Sequence, residues 1–366
     1  MDQAELFQAI RGRLYGAVAD FQPPPPQLLN ISPYLGMSLL QKAIRRGRTE
    51  LALKAAATLL QQSPERLWRR LACIAFEDVG LGDLDLVAMA TAAMAGKRTR
   101  GPLGGEWAVA SFLTSRMADA IKCRGADDLL LVAENHPDFE TQRLQFGFST
   151  IKELTGLITG SEPLPVRALA AWFLLGTDRR PSPRLARRSG DTAALFAALA
   201  GILPPCLVEI AQEGHRRSGE VLPIFVALLA PQLQPDLETS EPDEMPPEVM
   251  LGPVPGWVVD LYTRPGRAAL ANFIDGSTRT ARWVRLRIPP RRRVTFLGTI
   301  VFRLEGQCVR RRLRWTTADE LRRLTDYECN GSHCPDATEI LQLARTDLGE
   351  LNAIRAELLE ASSHAS

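Results

Sequence analysis

The chain has 366 residues, 45% of them hydrophobic, and a formal net charge of +2. That length supports a sizeable core and two domains, and the near-neutral balance excludes a polycation as a whole. No apolar run reaches the ~18 residues of a membrane span, so a membrane partner is not expected.

The N-terminus, MDQAELFQAIRGRLYGAVAD, reads as an amphipathic helix and lacks the basic start, apolar centre and cleavage site of a secretory signal. Six cysteines (Cys73, Cys123, Cys206, Cys308, Cys329 and Cys334) are scattered through the chain. That spread indicates reduced thiols in a cytoplasm rather than a disulfide framework. Lysine occurs only at Lys42, Lys54, Lys97, Lys122 and Lys152, and the other basic residues are arginines. A GC-rich genome produces the same bias, so an arginine cluster is not by itself a binding site.

Residues 1–36 are expected to be a helix followed by a linker, because the consecutive prolines of FQPPPPQLLNISPYLG favour an extended polyproline conformation. From 37 to 233 the pattern is helical almost throughout. Two apolar stripes break at Gly47, and SPERLWRRLACIAFEDVG places Ser63, Pro64 and Glu65 as a helix start. Further helices are expected in DLDLVAMATAAMAG, GEWAVASFLTSRMADAIKC, DDLLLVAENHP, LPVRALAAWFLLG, DTAALFAALAGI and GEVLPIFVALLAPQL. Residues 234–256 are acidic and proline-rich, the composition of a domain boundary. Residues 257–366 form a basic domain in which Arg264 to Arg323 carries sixteen arginines against four acids. Within it, VTFLGTIVFRLEG (294–306) fits either a β-hairpin or a buried helix. Two helices close the chain. The fold class expected is mainly α, with a larger helical domain followed by a smaller basic one.

Glu77 and Asp78 follow an apolar helical run and lead into Gly80 and Gly82. Neighbours on a helix point about 100° apart, whereas paired catalytic carboxylates converge across a cleft. A structural role is therefore expected, with one acid paired to Arg45, Arg46 or Arg70. The glycines would form a tight turn and Asp83 would cap the next helix. The run LQKAIRRG…ALKAAATLL…SPERLWRRLACIAFEDVGLGD resembles the segment after the ATPase core in the replication-associated recombination protein A family, AAA+ relatives of the clamp loaders. Lys42, Arg45, Gly47, Arg69, Arg70, Glu77, Asp78, Gly80 and Asp83 carry the likeness, over residues 38–90. The resemblance implies a clamp-loader-like helical domain that assembles with itself, as a homo-oligomer, or with a separate AAA+ ATPase. No G-x-x-x-x-G-K-[ST] loop occurs in this chain, and AGKRTR (95–100) lacks its first glycine and its Ser/Thr. ATP hydrolysis is not carried over.

Three other constellations stand out. CNGSHC brings Cys329, His333 and Cys334 close together, but adjacent residues rarely chelate one metal, and free thiols in a loop are the simpler reading. Asp260, Tyr262, Thr263, Arg264 and Arg267 surround a Pro-Gly turn. An anion at a helix start is one reading there, and a corner with Asp260 paired to an arginine is the other. WVRLRIPPRRR and RRRLRW place Arg285, Arg287, Arg291, Arg292, Arg293, Arg310, Arg311 and Arg312 beside tryptophans. Arginines neutralise phosphates and aromatics stack on unpaired bases. No Ser-His-Asp set or G-x-S-x-G occurs and no cofactor motif is found, so no enzyme and no cofactor is expected. The expectation is a cytoplasmic DNA-replication or repair factor that binds DNA through these arginines. A protein-binding scaffold is the alternative, and a metal-dependent hydrolase ranks third.

Overall fold

Apolar residues recurring three and four apart turn most of the chain into helix. The computed structural model describes residues 3–178, 181–233, 239–326 and 337–364. Within them lie twenty α-helices and a few strands of two or three residues, so the protein is mainly α. No described helix is long and apolar enough to cross a membrane. The packing forms two units, each assembled from three segments. The first comprises Met1–Pro23, Trp68–Glu241 and Arg312–His333, and the second Pro24–Leu67, Pro242–Arg311 and Cys334–Ser366. The stretches 37–233 and 257–366, which composition separates, each contribute to both units.

In the first unit the helix Leu222–Leu229, LPIFVALL, has no polar face, and every one of its residues is buried. Helices Gly125–Asn135 and Leu164–Leu175 pack on it and on each other. The N-terminal helix Gln3–Ala19 packs on Leu84–Ala93 and buries Leu6, Ile10, Leu14 and Val18, a stripe spaced four apart. An antiparallel ladder pairs Thr239–Glu241 with Arg312–Arg314.

The Glu77–Asp78 pair sits in this unit on a π-helical turn, Ala75–Val79. Gly80 follows with a φ of 48°. Cys123 N donates to Val79 O at 3.1 Å, so the backbone of residues 121–123 runs directly across the turn. A Cβ on Gly80 would stand 2.6 Å from Cys123 O, and one on Gly82 2.3 Å from Ile121 O, which is why both positions are glycine. Arg124, next along, bonds to Asp78, to Asp127 and, at 3.4 Å, to Glu77. Arg124, which was not among the expected partners, holds the pair because the Cys123–Val79 bond brings it against the turn, where its guanidinium fork spans both acids. Burial alone would lower the Arg124 pKa, but Asp127, Asp78 and Glu77 outweigh it and hold it well above the ordinary value. Asp83 caps the helix Leu84–Ala93 as expected, accepting from Leu86 N at 2.9 Å.

In the second unit, helices Pro33–Arg45 and Thr49–Gln62 pack together across Gly47, whose φ is 63°. Helices Arg264–Asp275, Arg279–Arg287, Arg293–Val301, Ala337–Thr346 and Leu348–His364 enclose a separate core of Leu270, Phe273, Val284, Leu297, Ile300 and Leu351 among others. Residues 294–306 are not a hairpin. They continue the helix Arg293–Val301 into a π-turn, Phe302–Gly306, with Phe296, Leu297, Ile300, Val301 and Leu304 buried at helical spacing. The β-branched run resembles a strand, but its buried positions follow a period near 3.6 rather than 2. A tight hairpin does form at the end of the acidic linker, Met250–Leu251 against Val254–Pro255, turning at Gly252.

Removing one member of the buried Asp78–Arg124 pair is expected to cost about 3–5 kcal/mol, because the remaining charge has no solvent. Denaturant unfolding of Arg124→Met checks this. The double variant D78L/R124M is expected to recover much of the loss.

Candidate nucleic-acid interface

The second unit spends many of its cations internally. Lys42, Arg45, Arg46 and Arg355 are buried with only two carboxylates, Asp260 and Glu305, and none of the six is more than 6% exposed. Lys42 Nζ reaches Asp260 Oδ2 and the Trp257 carbonyl, each at 2.6 Å. Arg45 Nη1 donates to Gly306 O at 2.8 Å and Arg46 Nη2 to Glu305 O at 2.9 Å. These two arginines therefore cap the carbonyls at the end of the π-turn, where the helix dipole is negative. Arg355 Nη2 lies 2.9 Å from Glu305 Oε2. Burial pushes Lys42 down to about 8 from its ordinary 10.5, against the pull of Asp260. Of the motif's other basic residues, which lie in the first unit, Arg69 is exposed and Arg70 half-buried.

The Pro-Gly corner is built into the same network. Asp260 pairs with Lys42 rather than with an arginine, and its Oδ1 accepts from Tyr262 N at 2.9 Å. Thr263 caps the helix Arg264–Asp275 by accepting from Gly266 N at 3.1 Å. A Cβ on Gly266 would stand 1.9 Å from Asp260 O. The amide of Gly266 is satisfied by the chain itself, and Pro265 has none to offer. The turn is a structural corner from which Tyr262, Arg264 and Arg267 emerge exposed.

The Arg-rich stretch separates into two classes. Arg285 donates to Ile274 O and to Gly276 O, closing the end of the preceding helix. Arg293 donates to Arg285 O at 2.8 Å and Ile288 O at 2.9 Å. Arg312 is buried in the strand that pairs with Glu241 in the first unit. These three are structural. Arg287 lies 4.8 Å from the Trp283 ring centroid and 3.3 Å from Glu339 Oε2. Arg291, Arg292, Arg310 and Arg311 are exposed, and Arg310 approaches Gly47 O at 3.5 Å. Neither tryptophan is accessible to bases. Trp283 is 7% exposed, stacked on Phe296 and bonded to Glu339, and Trp315 is 4% exposed. Their rings complete cores, so the expected stacking on unpaired bases is corrected.

The exposed class is larger than the sequence motifs indicate. Helix Arg264–Asp275 turns through Gly276, Ser277 and Thr278 into the basic helix Arg279–Arg287. Thr280, Ala281, Trp283 and Val284 form the buried side of the basic helix. Arg279, Arg282 and Leu286, spaced three and four apart, form the exposed side. The motif WVRLRIPPRRR begins at Trp283, whereas this face begins just after the Thr278 N-cap. Among the described residues Arg264, Arg267, Arg279, Arg282 and Arg291 are exposed with no hydrogen-bond or ion-pair partner, and the only carboxylate from Arg264 to Arg293 is Asp275. The start of the basic helix is already taken by an acid: Asp347 accepts from the amide and hydroxyl of Thr280, at 2.9 and 2.7 Å.

No group of His, Cys, Asp and Glu among the described residues fits a metal ion. Cys329, His333 and Cys334 lie outside the described residues.

The Lys42 environment sets a pH dependence. Between about 8 and 10.5 the unfolded chain holds the lysine proton and the folded chain has released it. Folding stability from this group is therefore expected to rise with pH across that window and to be flat below it, where both states are protonated. Unfolding of the wild type and of K42M/D260N across that range tests this: the stability of the wild type relative to the variant is expected to rise with pH.

No protein-family model, curated protein or solved structure matches this chain.

Proposed function

We propose that the protein is a non-enzymatic DNA-binding factor of replication or repair, and that Arg264, Arg267, Arg279, Arg282 and Arg291 hold the phosphate backbone. One observation carries the reading: among the described residues, five exposed guanidiniums without partners lie on a stretch that has a single carboxylate. A stretch so poor in acids leaves these charges to solvent, and a polyanion neutralises them while releasing its own counterions. The likeness of residues 38–90 to the replication-associated ATPases supports the process named. On this reading nucleotide hydrolysis belongs to a separate clamp-loader-type ATPase, and the helical segments serve assembly with it or with a second copy.

Fluorescence anisotropy of labelled single-stranded, duplex and forked DNA at several salt concentrations tests the proposal. The wild type is expected to bind with a steep salt dependence. R279Q/R282Q is expected to reduce the slope of log K against log salt by about two, roughly one for each phosphate no longer neutralised. R285Q, which removes a helix closure, is expected to lower the melting temperature instead. Absence of binding at low salt would sink the proposal and leave an acidic protein surface as the partner of these arginines.

A further inference from the structure

The basic helix presents one feature that phosphate binding does not use. Leu286 is 86% exposed. It stands on the same helical face as Arg279 and Arg282, with Arg282 one turn, about 6 Å, before it. Pro289 and Pro290 follow it and are exposed, and Arg291 and Arg292 come next, also exposed.

Its position is fixed from below. Trp283 stacks on Phe296 with ring centroids 5.9 Å apart and planes 12° from parallel. The Trp283 indole donates to Glu339 Oε2 at 3.0 Å. Arg293 ties the carbonyls of Arg285 and Ile288, on either side of Leu286, to one guanidinium. The leucine is thus held out on a braced corner, with Arg282 one turn before it on the same face and Arg291 and Arg292 after the prolines.

That combination narrows the partner. A membrane surface calls for a broad apolar face, and on this helix Leu286 is the single large apolar residue exposed. Single-stranded nucleic acid calls for aromatic platforms under successive bases, and the one aromatic on this helix, Trp283, is buried. A duplex offers what the corner matches: phosphates along both edges of a minor groove about 6 Å wide, and between them base steps that an apolar side chain can part.

We propose that Leu286 is a wedge that enters the minor groove of duplex DNA and bends it, with Arg282 and its neighbours on the flanking phosphates. The proposal rests on the DNA-binding reading above and adds the form of DNA and the manner of its distortion. Parting a base step costs least where stacking is weak, so flexible pyrimidine–purine steps and mismatches are preferred over stiff A-tracts. No base-specific hydrogen bond is involved, and any sequence preference is one of deformability.

The test uses the full chain and short duplexes carrying a donor and an acceptor dye at opposite ends. One duplex is stiff, one has a central TA step and one a central mismatch. With wild-type protein, energy transfer is expected to rise on binding and affinity to increase in the order stiff, TA, mismatch. Leu286→Ala, an exposed change expected to leave the melting temperature unaltered, should keep the salt slope but lose both the bend and the preference. Leu286→Phe, which retains an apolar wedge, should keep both. Equal energy transfer and equal preference in the wild type and Leu286→Ala would overturn the wedge while leaving DNA binding intact. Tighter binding to phosphatidylserine vesicles than to any duplex, lost in Leu286→Ala, would overturn it in favour of a membrane. Failure to bind any duplex at low salt would remove the underlying reading itself.

Discussion

A guanidinium cannot shed its charge on burial, so each arginine in this protein must either find oxygen atoms inside the fold or stay in water. Arg124 illustrates the first course. It gathers Asp78, Glu77 and Asp127 around one fork and pins residues 121–124 across the Gly80–Gly82 turn. Arg45, Arg46 and Arg355 do the same around Glu305 in the other unit, using carbonyls where carboxylates run out. Packing depends on these pairings, because a buried charge left alone would offset several buried side chains of hydrophobic gain.

The arginines that remain are informative by subtraction. Arg285 and Arg293 look, in the sequence, like members of the same basic run as Arg282 and Arg291. In the fold they brace helix ends while the others face solvent. The proposed function belongs to the second set, and the first set explains why the second is presented rigidly. The two tryptophans belong with the first set. They anchor the basic helix and the strand near Arg312 in their cores.

Much of the helical architecture was legible from periodicity and from caps. The break at Gly47, the helix beginning at Pro64 and the Asp83 cap all follow from local chemistry that acts within a few residues. What escaped depends on contacts distant in sequence. The partner of Asp78 lies 46 residues on, and that of Lys42 218 residues on, so no local pattern names them. The buried stretch 294–306 misleads for another reason: its β-branched residues satisfy strand propensity, while surroundings on several sides favour helix. The exposed arginine face was visible only once the N-cap at Thr278 set the phase of the basic helix.

The separation of Lys42 from Asp260 also bears on synthesis. Helices Pro33–Arg45 and Thr49–Gln62 leave the ribosome long before the residues that cover them, and 218 residues at 5–20 per second is about 10–45 s. During that interval the face that will be interior carries Lys42, Arg45 and Arg46 without their acceptors. Unneutralised charges on such a face are expected to stay hydrated and to repel the same face of another nascent chain. The cations that the finished fold must neutralise are, on this argument, a defence against aggregation while it is still incomplete.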